Sequence, residues 1–84
     1  MTVNVIFFAS LREALGISAE SVDLPAAITQ VGTLREFLAA RGGVWEELVT
    51  RQNLRAAVNQ QLVGWDAPVK DDDEVAFFPP VTGG

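Results

Sequence analysis

The last six residues of the chain carry the group best suited to chemistry. They read Pro79-Pro80-Val81-Thr82-Gly83-Gly84. Glycine offers no apolar surface and loses the most backbone entropy on ordering, so the final pair cannot serve as a packing element. It offers instead a slender segment whose α-carboxylate is crowded by no Cβ. The prolines stiffen the base of this segment, which reaches roughly 20 Å when extended. We therefore predict that the carboxylate of Gly84 is the reactive group.

A carboxylate reacts as an electrophile only after activation, because it is already an anion. The simplest activated form is an acyl-adenylate made from ATP by another enzyme. Attack of sulfide on that mixed anhydride gives a thiocarboxylate, and attack of a persulfide does so once a thiol has cleaved the S–S bond. A thioacid is much more acidic than a cysteine thiol, whose pKa is about 8.5, so it is an ionised sulfur nucleophile at neutral pH. Each step would take place in the pocket of a partner protein.

The composition excludes several classes of function and of binding partner. The chain has 84 residues, 49% of them hydrophobic, which is enough for one small domain with its own core. It contains no cysteine and no histidine, so thiolate nucleophiles, imidazole bases and the usual zinc ligands are absent. A net charge of −5 argues against nucleic acid as a partner. We expect no metal, no cofactor bound by this chain, no membrane span and, since the start does not resemble a signal peptide, a cytoplasmic protein.

Alternation and turn residues predict the strands. A first strand is expected over residues 2–9, a second over 21–24, a hairpin over 56–63 and a last strand over 74–78. The hairpin turns at Asn59-Gln60, where Gln60 is a poorer choice than glycine.

Capping signals and helical spacing predict the helices. Ser10 and Thr33 each begin a capping-box pattern, and Gly16 and Gly42-Gly43 suit the helix ends. A further short helix over residues 44–50 should turn three side chains inward, namely Trp45, Leu48 and Val49.

One amphipathic helix can cover only one face of a sheet. We therefore predict an α+β roll, with a mixed sheet of about five strands packed on one main helix plus short helices. The first and last strands should lie side by side at its centre. Residues 1–78 would form the domain, and residues 79–84 a flexible C-terminal tail ending in Gly-Gly.

Three segments resemble one known family, the small, sulfur-carrier subunits of molybdopterin synthase. The longest is Asp73-Glu74-Val75-Ala76-Phe77-Phe78-Pro79-Pro80-Val81-Thr82-Gly83-Gly84. The others are Ala56-Ala57-Val58-Asn59-Gln60-Gln61-Leu62-Val63 and Val5-Ile6-Phe7-Phe8-Ala9-Ser10-Leu11-Arg12-Glu13. Residues 16–55 match only in pattern. At Asp72 the family often has glycine, and aspartate tolerates the left-handed conformation better than most residues.

The resemblance implies a ubiquitin-like β-grasp fold and a sulfur-carrier function. An adenylating enzyme of the ubiquitin-activating type would act on Gly84, and a sulfur donor protein would convert it to the thiocarboxylate, with Gly83 as its slender neighbour. The tail would then enter the large subunit and deliver sulfur to cyclic pyranopterin monophosphate, building the dithiolene of molybdopterin. The family implies a heterotetramer of two small and two large subunits. The chain alone would not be a complete catalyst.

Strand alternation also predicts a partner-docking patch. If the odd-numbered residues of the first and last strands pack on the helix, Phe8 and Phe78 face outward side by side, and Leu62 joins them from the hairpin. The tail residues expected to bind the partner are Pro79, Pro80, Val81 and Thr82. The alternative is that Phe8 and Phe78 belong to a second small cluster under a loop.

Two other functions remain open at this stage. One is a related sulfur carrier for another pathway, such as thiazole synthesis, or a protein modifier that joins its terminus to lysines. The other is an interaction domain whose tail has no chemical role.

Overall fold

The structure of the protein is a computed structural model that describes residues 1–80. Five strands and three short helices follow one another along this part of the chain. The strands are β1 (Thr2–Phe7), β2 (Ala19–Asp23), β3 (Arg55–Val58), β4 (Gln61–Val63) and β5 (Glu74–Phe78). The helices are α1 (Ala9–Leu15), α2 (Val31–Ala39) and α3 (Glu47–Thr50), and a 3₁₀ turn (Gly43–Glu46) leads into α3.

The strands form one mixed sheet in the order β2-β1-β5-β3-β4. β1 and β5 pair in parallel at its centre, and the other pairs are antiparallel. The predicted adjacency of the first and last strands is confirmed. The predicted α+β roll, with about five strands and one main helix, is confirmed as well.

One face of the sheet holds the core. Alternate residues of β1 and β5 are fully buried there, and α2 packs its own apolar stripe against them. The core members from these three elements are Val3, Val5, Phe7, Val75, Phe77, Val31, Leu34 and Leu38. Burying each large side chain contributes roughly 1.5–3 kcal/mol, so this layer supplies most of the apolar stabilisation. The other face of the sheet, which we call the outer face, contributes no residue to this core.

The start of α1 differs from the prediction. The helix begins at Ala9, Phe8 is its N-cap residue, and no side chain caps it. The predicted capping box at Ser10 is therefore wrong, and the Ser10 hydroxyl instead accepts a hydrogen bond from Arg51 at 2.9 Å. Gly16 ends the helix at φ 74°, as predicted, and its N–H bonds the Arg12 carbonyl at 2.9 Å.

The start of α2 also lies earlier than predicted. The N-cap residue is Gln30, and Thr33 is the third helical residue, so Thr33 as N-cap is wrong by three positions. The Val31 and Gly32 N–H groups bond the carbonyls of Ala67 and Trp65 at 3.0 and 2.7 Å. These distant carbonyls satisfy N–H groups that a helix start otherwise leaves without partners.

The segment after α2 is partly as predicted. Gly42 and Gly43 adopt positive φ values of 81° and 58°, which stops the helix. Leu48 is buried and Trp45 is packed against the core, as expected. Val49, predicted to face inward, is 43% exposed. A 3₁₀ turn and a single α-helical turn present only one narrow inward face, which Trp45 and Leu48 already fill.

Two turns use left-handed residues other than glycine. Asn59 and Gln60 have φ values of 50° and 70°, which gives the predicted two-residue turn between β3 and β4. Asp72, before β5, has φ 69°, a left-handed conformation that aspartate tolerates better than most residues. For a residue other than glycine, the left-handed conformation costs roughly 1–2 kcal/mol.

Candidate docking face and C-terminal tail

The outer face carries its own apolar surface, separate from the core. Ala57 and Ala76 are buried yet lie outside the core cluster, because they alternate with core residues along β3 and β5. Phe8 and Leu62 are 45% and 69% exposed, and Phe78 is half-buried. The alternative that Phe8 and Phe78 lie under a loop does not fit the 45% exposure of Phe8.

The strand register arranges part of this face as a line of four residues. Ile6 pairs with Ala76, Ala76 with Ala57, and Ala57 with Leu62. Residues directly opposite each other project from the same side of a sheet. The sequence of sizes across four strands is large, small, small, large. The two alanines therefore form the floor of a shallow depression, which we call the alanine depression, between the taller Ile6 and Leu62.

A second line crosses the ends of the central strands. Phe78 pairs with Arg55, and Phe8 follows Phe7, which pairs with Phe77. The Phe8 N–H donates to the Phe77 carbonyl at 3.2 Å and so continues the parallel ladder by one step. The structure thus brings Phe8 and Phe78 to neighbouring positions, with Leu62 two strands from Phe78 on the same face.

The chain turns sharply directly after Phe8. Ala9 has φ 53°, a left-handed conformation that L-residues seldom adopt. Strained backbone of this kind persists only where the surroundings impose it. The turn ends β1 at Phe7 and lets α1 begin without covering the Phe8 side chain.

The C-terminal tail follows β5, which is the central strand of the sheet. Pro79 and Pro80 follow β5 directly and are half-buried. The remaining predicted site residues, Val81, Thr82, Gly83 and Gly84, lie outside the described residues. The tail therefore leaves the sheet at the end of β5, between β1 and β3, and we call this point the tail root.

An acidic turn precedes β5, at the opposite end of this strand from the tail. Before β5, the Asp71 carboxylate accepts the Thr2 N–H at 2.7 Å, and Asp73 accepts from Asn59 at 2.9 Å and from the Lys70 N–H at 2.8 Å. These acids order a turn, and within residues 1–80 no group of three or more acidic side chains is placed to hold a metal ion. In the same part of the chain, no helix has the length and apolarity needed to cross a membrane.

A two-contact ion pair joins β2 to the end of α2. The Arg41 guanidinium donates to both Glu20 carboxylate oxygens, at 2.9 and 2.5 Å. The hydrogen bond from Arg41 lowers the pKa of Glu20, and the same bond raises the pKa of Arg41. Arg35, on the same helix, lies over the Trp65 ring at 4.2 Å, and burial lowers its pKa. These contacts connect α2 and the residues after it to β2 and to Trp65, and they involve no side chain of the outer face.

Sequence reasoning missed three features of the outer face. It did not identify Ile6, the Ala57–Ala76 floor or the position of Arg55 opposite Phe78. The alternation of residues in β3 and β5 is visible in the sequence and places four residues on one face, namely Arg55, Ala57, Ala76 and Phe78. The order of the strands in the sheet is not visible in the sequence, so their neighbours across the sheet could not be predicted.

Comparison with known proteins agrees with this architecture. The chain is 48% identical over 82 residues to the molybdopterin synthase sulfur carrier subunit of Escherichia coli (strain K12), covering 98% of this chain and 99% of that protein. A solved structure of a putative molybdopterin converting factor, subunit 1, from Pyrococcus furiosus superposes with a TM-score of 0.79 at 31% identity, covering 96% of this chain and 99% of that one.

A third relative comes from a complex. One chain of the protein–protein complex of subunits 1 and 2 of the molybdopterin-converting factor from Helicobacter pylori 26695 superposes with a TM-score of 0.69 at 26% identity, covering all of both chains. The predicted resemblance and the predicted β-grasp fold are confirmed. A sequence model of the ThiS family matches residues 5–84, and it includes the terminal Gly83-Gly84. This chain therefore belongs to the ThiS family.

Proposed function

We propose that this chain is the sulfur-carrier subunit of a molybdopterin synthase. The observation that carries the proposal is the 48% identity to the Escherichia coli sulfur carrier subunit across nearly the full length of both chains. The fold supports it, because β5 ends at the centre of the sheet, and Pro79 and Pro80 follow it beside an exposed apolar face.

The proposed chemistry starts at the Gly84 carboxylate. In an adenylating enzyme, a carboxylate oxygen attacks the α-phosphate of ATP, and pyrophosphate leaves. A persulfide of a sulfur donor protein then attacks the acyl carbon through its outer sulfur, and AMP leaves. A thiol of the donor protein cleaves the S–S bond of the resulting acyl disulfide, which releases the thiocarboxylate and leaves a disulfide on the donor. The chain has no cysteine, so a terminal thiocarboxylate is the form in which it can carry reactive sulfur. Gly83 leaves the approach to this carbonyl open, since it has no side chain.

The proposed acceptor complex contains the large subunit. The outer face docks on it through Phe8, Leu62 and Phe78, while Pro79 and Pro80 direct residues 81–84 into its pocket. There the sulfur passes to cyclic pyranopterin monophosphate. The Helicobacter pylori complex of subunits 1 and 2 supports a partner of this kind. We propose a heterotetramer of two small and two large subunits.

The decisive experiment follows the intact mass of the protein ending at Gly84. The protein is incubated with ATP, the adenylating enzyme of the same organism and a sulfur donor. We expect the mass change for replacement of one oxygen by sulfur, and its reversal when the large subunit and the pterin substrate are added. A matched chain that ends at Gly83 should gain no sulfur.

Contrary outcomes are equally specific. A chain that acquires sulfur but never transfers it to the pterin is a carrier for another pathway. A chain whose terminus instead becomes joined to lysine side chains is a protein modifier. If an amidated terminus still supports pterin sulfuration in a deficient cell, the carboxylate is not the working group and the proposal fails.

A further inference from the structure

Among residues 1–80, three cations have no side-chain ion pair or hydrogen bond: Arg12 on α1, Lys70 before β5, and Arg55 on the outer face. Arg41 and Arg51 pair with Glu20 and Glu47, and Arg35 lies over the Trp65 ring. Arg55 is exposed, and its side chain forms no ion pair or hydrogen bond with any residue from 1 to 80.

Its position relative to the tail is fixed by the sheet. Arg55 pairs with Phe78, the last residue of β5, so both side chains lie on the outer face. On the other side, the register of Ala56 with Val63 places Gly64, which has no side chain, next to Arg55. Ala57, on the floor of the alanine depression, is two residues along the strand, or about 7 Å away. The guanidinium therefore stands at the tail root, beside an apolar depression, and on its other side the Asp66 carboxylate approaches Gly64.

This charge is unlike its surroundings. The whole chain carries a net charge of −5, and β5 begins beside the acidic turn at residues 71–73. Under the proposed function, the tail enters a pocket that binds a phosphorylated anion and is therefore basic. A negative protein suits such a partner, because complementary potentials favour association. The positive charge of Arg55 at the tail root repels a basic partner surface, unless the partner places an acidic side chain directly against the guanidinium.

We propose that Arg55 is a specificity-determining residue that pairs with a carboxylate of the large subunit. An exposed guanidinium suits this task, since its planar donors match the two oxygens of a carboxylate. The inference rests on the proposed function, and it adds to it the chemistry of the partner surface. A partner without this acid would have to bury an unpaired charge, so the residue selects among partners.

The test compares three variants in the complete chain. Arg55→Gln removes the charge, Arg55→Lys keeps it, and Lys70→Gln removes an exposed charge next to the acidic turn at the far end of β5. The two neutral variants have the same net charge. Affinity for the large subunit is measured by calorimetry at low and high salt. We expect Arg55→Gln to weaken binding about tenfold or more at low salt and to flatten the salt dependence.

The controls should behave differently. Arg55→Lys should retain the salt dependence with part of the affinity, because it keeps the charge and loses the planar geometry. Lys70→Gln should stay within about twofold of the original chain, as expected for a screened, distant charge. Urea unfolding should give all three variants the same free energy of unfolding as the original chain.

Several results would overturn the inference. It fails if Arg55→Gln binds with the affinity and salt dependence of the original chain, or if Arg55→Gln and Lys70→Gln lose affinity equally. It also fails if Arg55→Gln weakens binding only by unfolding the protein. In each case sulfur transfer by the original chain still stands, so the proposed function survives. If the original chain does not bind the large subunit, both fail together.

Discussion

Leu62 offers the sharpest test of the outer face as a docking surface. Its side chain is 69% exposed, so the fold buries only about a third of it. Full burial of a leucine contributes roughly 1.5–3 kcal/mol, which leaves about 1–2 kcal/mol to be gained on docking. Leu62→Ser should therefore weaken binding to the large subunit roughly five- to thirtyfold, while it lowers the free energy of unfolding by less than about 1 kcal/mol.

The chain provides a matched control in Val49, another exposed aliphatic residue. It is 43% exposed on α3, in the helix layer behind the sheet. Val49→Ser should lower the free energy of unfolding by roughly 1–2 kcal/mol, because the fold buries more than half of this residue, and should leave the dissociation constant unchanged. Calorimetric titration gives the affinity, and urea unfolding gives the stability. The reasoning is refuted if Leu62→Ser binds within twofold of the original chain, or if Val49→Ser weakens binding as much.

Three further predictions concern turns and charges. Gln60→Gly should raise the free energy of unfolding by about 0.5–1 kcal/mol, because glycine relieves the left-handed strain; a decrease in urea unfolding would contradict this. Asp72→Gly should have the same sign, whereas Asp71→Gly should destabilise, because it removes the acceptor of a β1 N–H; equal effects in thermal melts would argue against that difference. The lowered pKa of Glu20 means that its bond to Arg41 stabilises the fold above the ordinary glutamate pKa and is lost as pH falls through the folded value. Glu20→Gln should thus be less stable than the original chain at neutral pH and equal to it in acid, and a pH-independent difference would rule this out.

The sequence predicts the centre of the sheet well. β5 occupies Glu74–Phe78, the predicted range, and β1 ends two residues before its predicted limit. Both strands have a period-two pattern strong enough to decide which residues enter the core, and proline at 79 stops β5. The outward positions of Phe8 and Leu62 follow from the same pattern.

The helix starts and the alanine depression depend on contacts that sequence patterns do not contain. α2 begins at Val31 because the carbonyl of Ala67, thirty-six residues later, accepts its N–H. Thr33 does take part in capping α2, but as the third helical residue, where its hydroxyl accepts the Gln30 N–H at 3.2 Å. The depression likewise needs three strand registers at once, since Ala57 and Ala76 become neighbours only through the pairing of β3 with β5.

The central place of β5 has a consequence for synthesis and turnover. Without residues 74–78, the sheet divides into two separate antiparallel pairs, β1 with β2 and β3 with β4, and an isolated two-stranded sheet is at best marginally stable in water. Because its key partner, β1, is at the opposite end of the chain, the ribosome must release almost the entire domain before the fold can close. A protease that removes the last strand would destroy the domain and not merely its reactive end. The reactive end and the strand that completes the sheet are therefore made together, and the domain closes only when both are present.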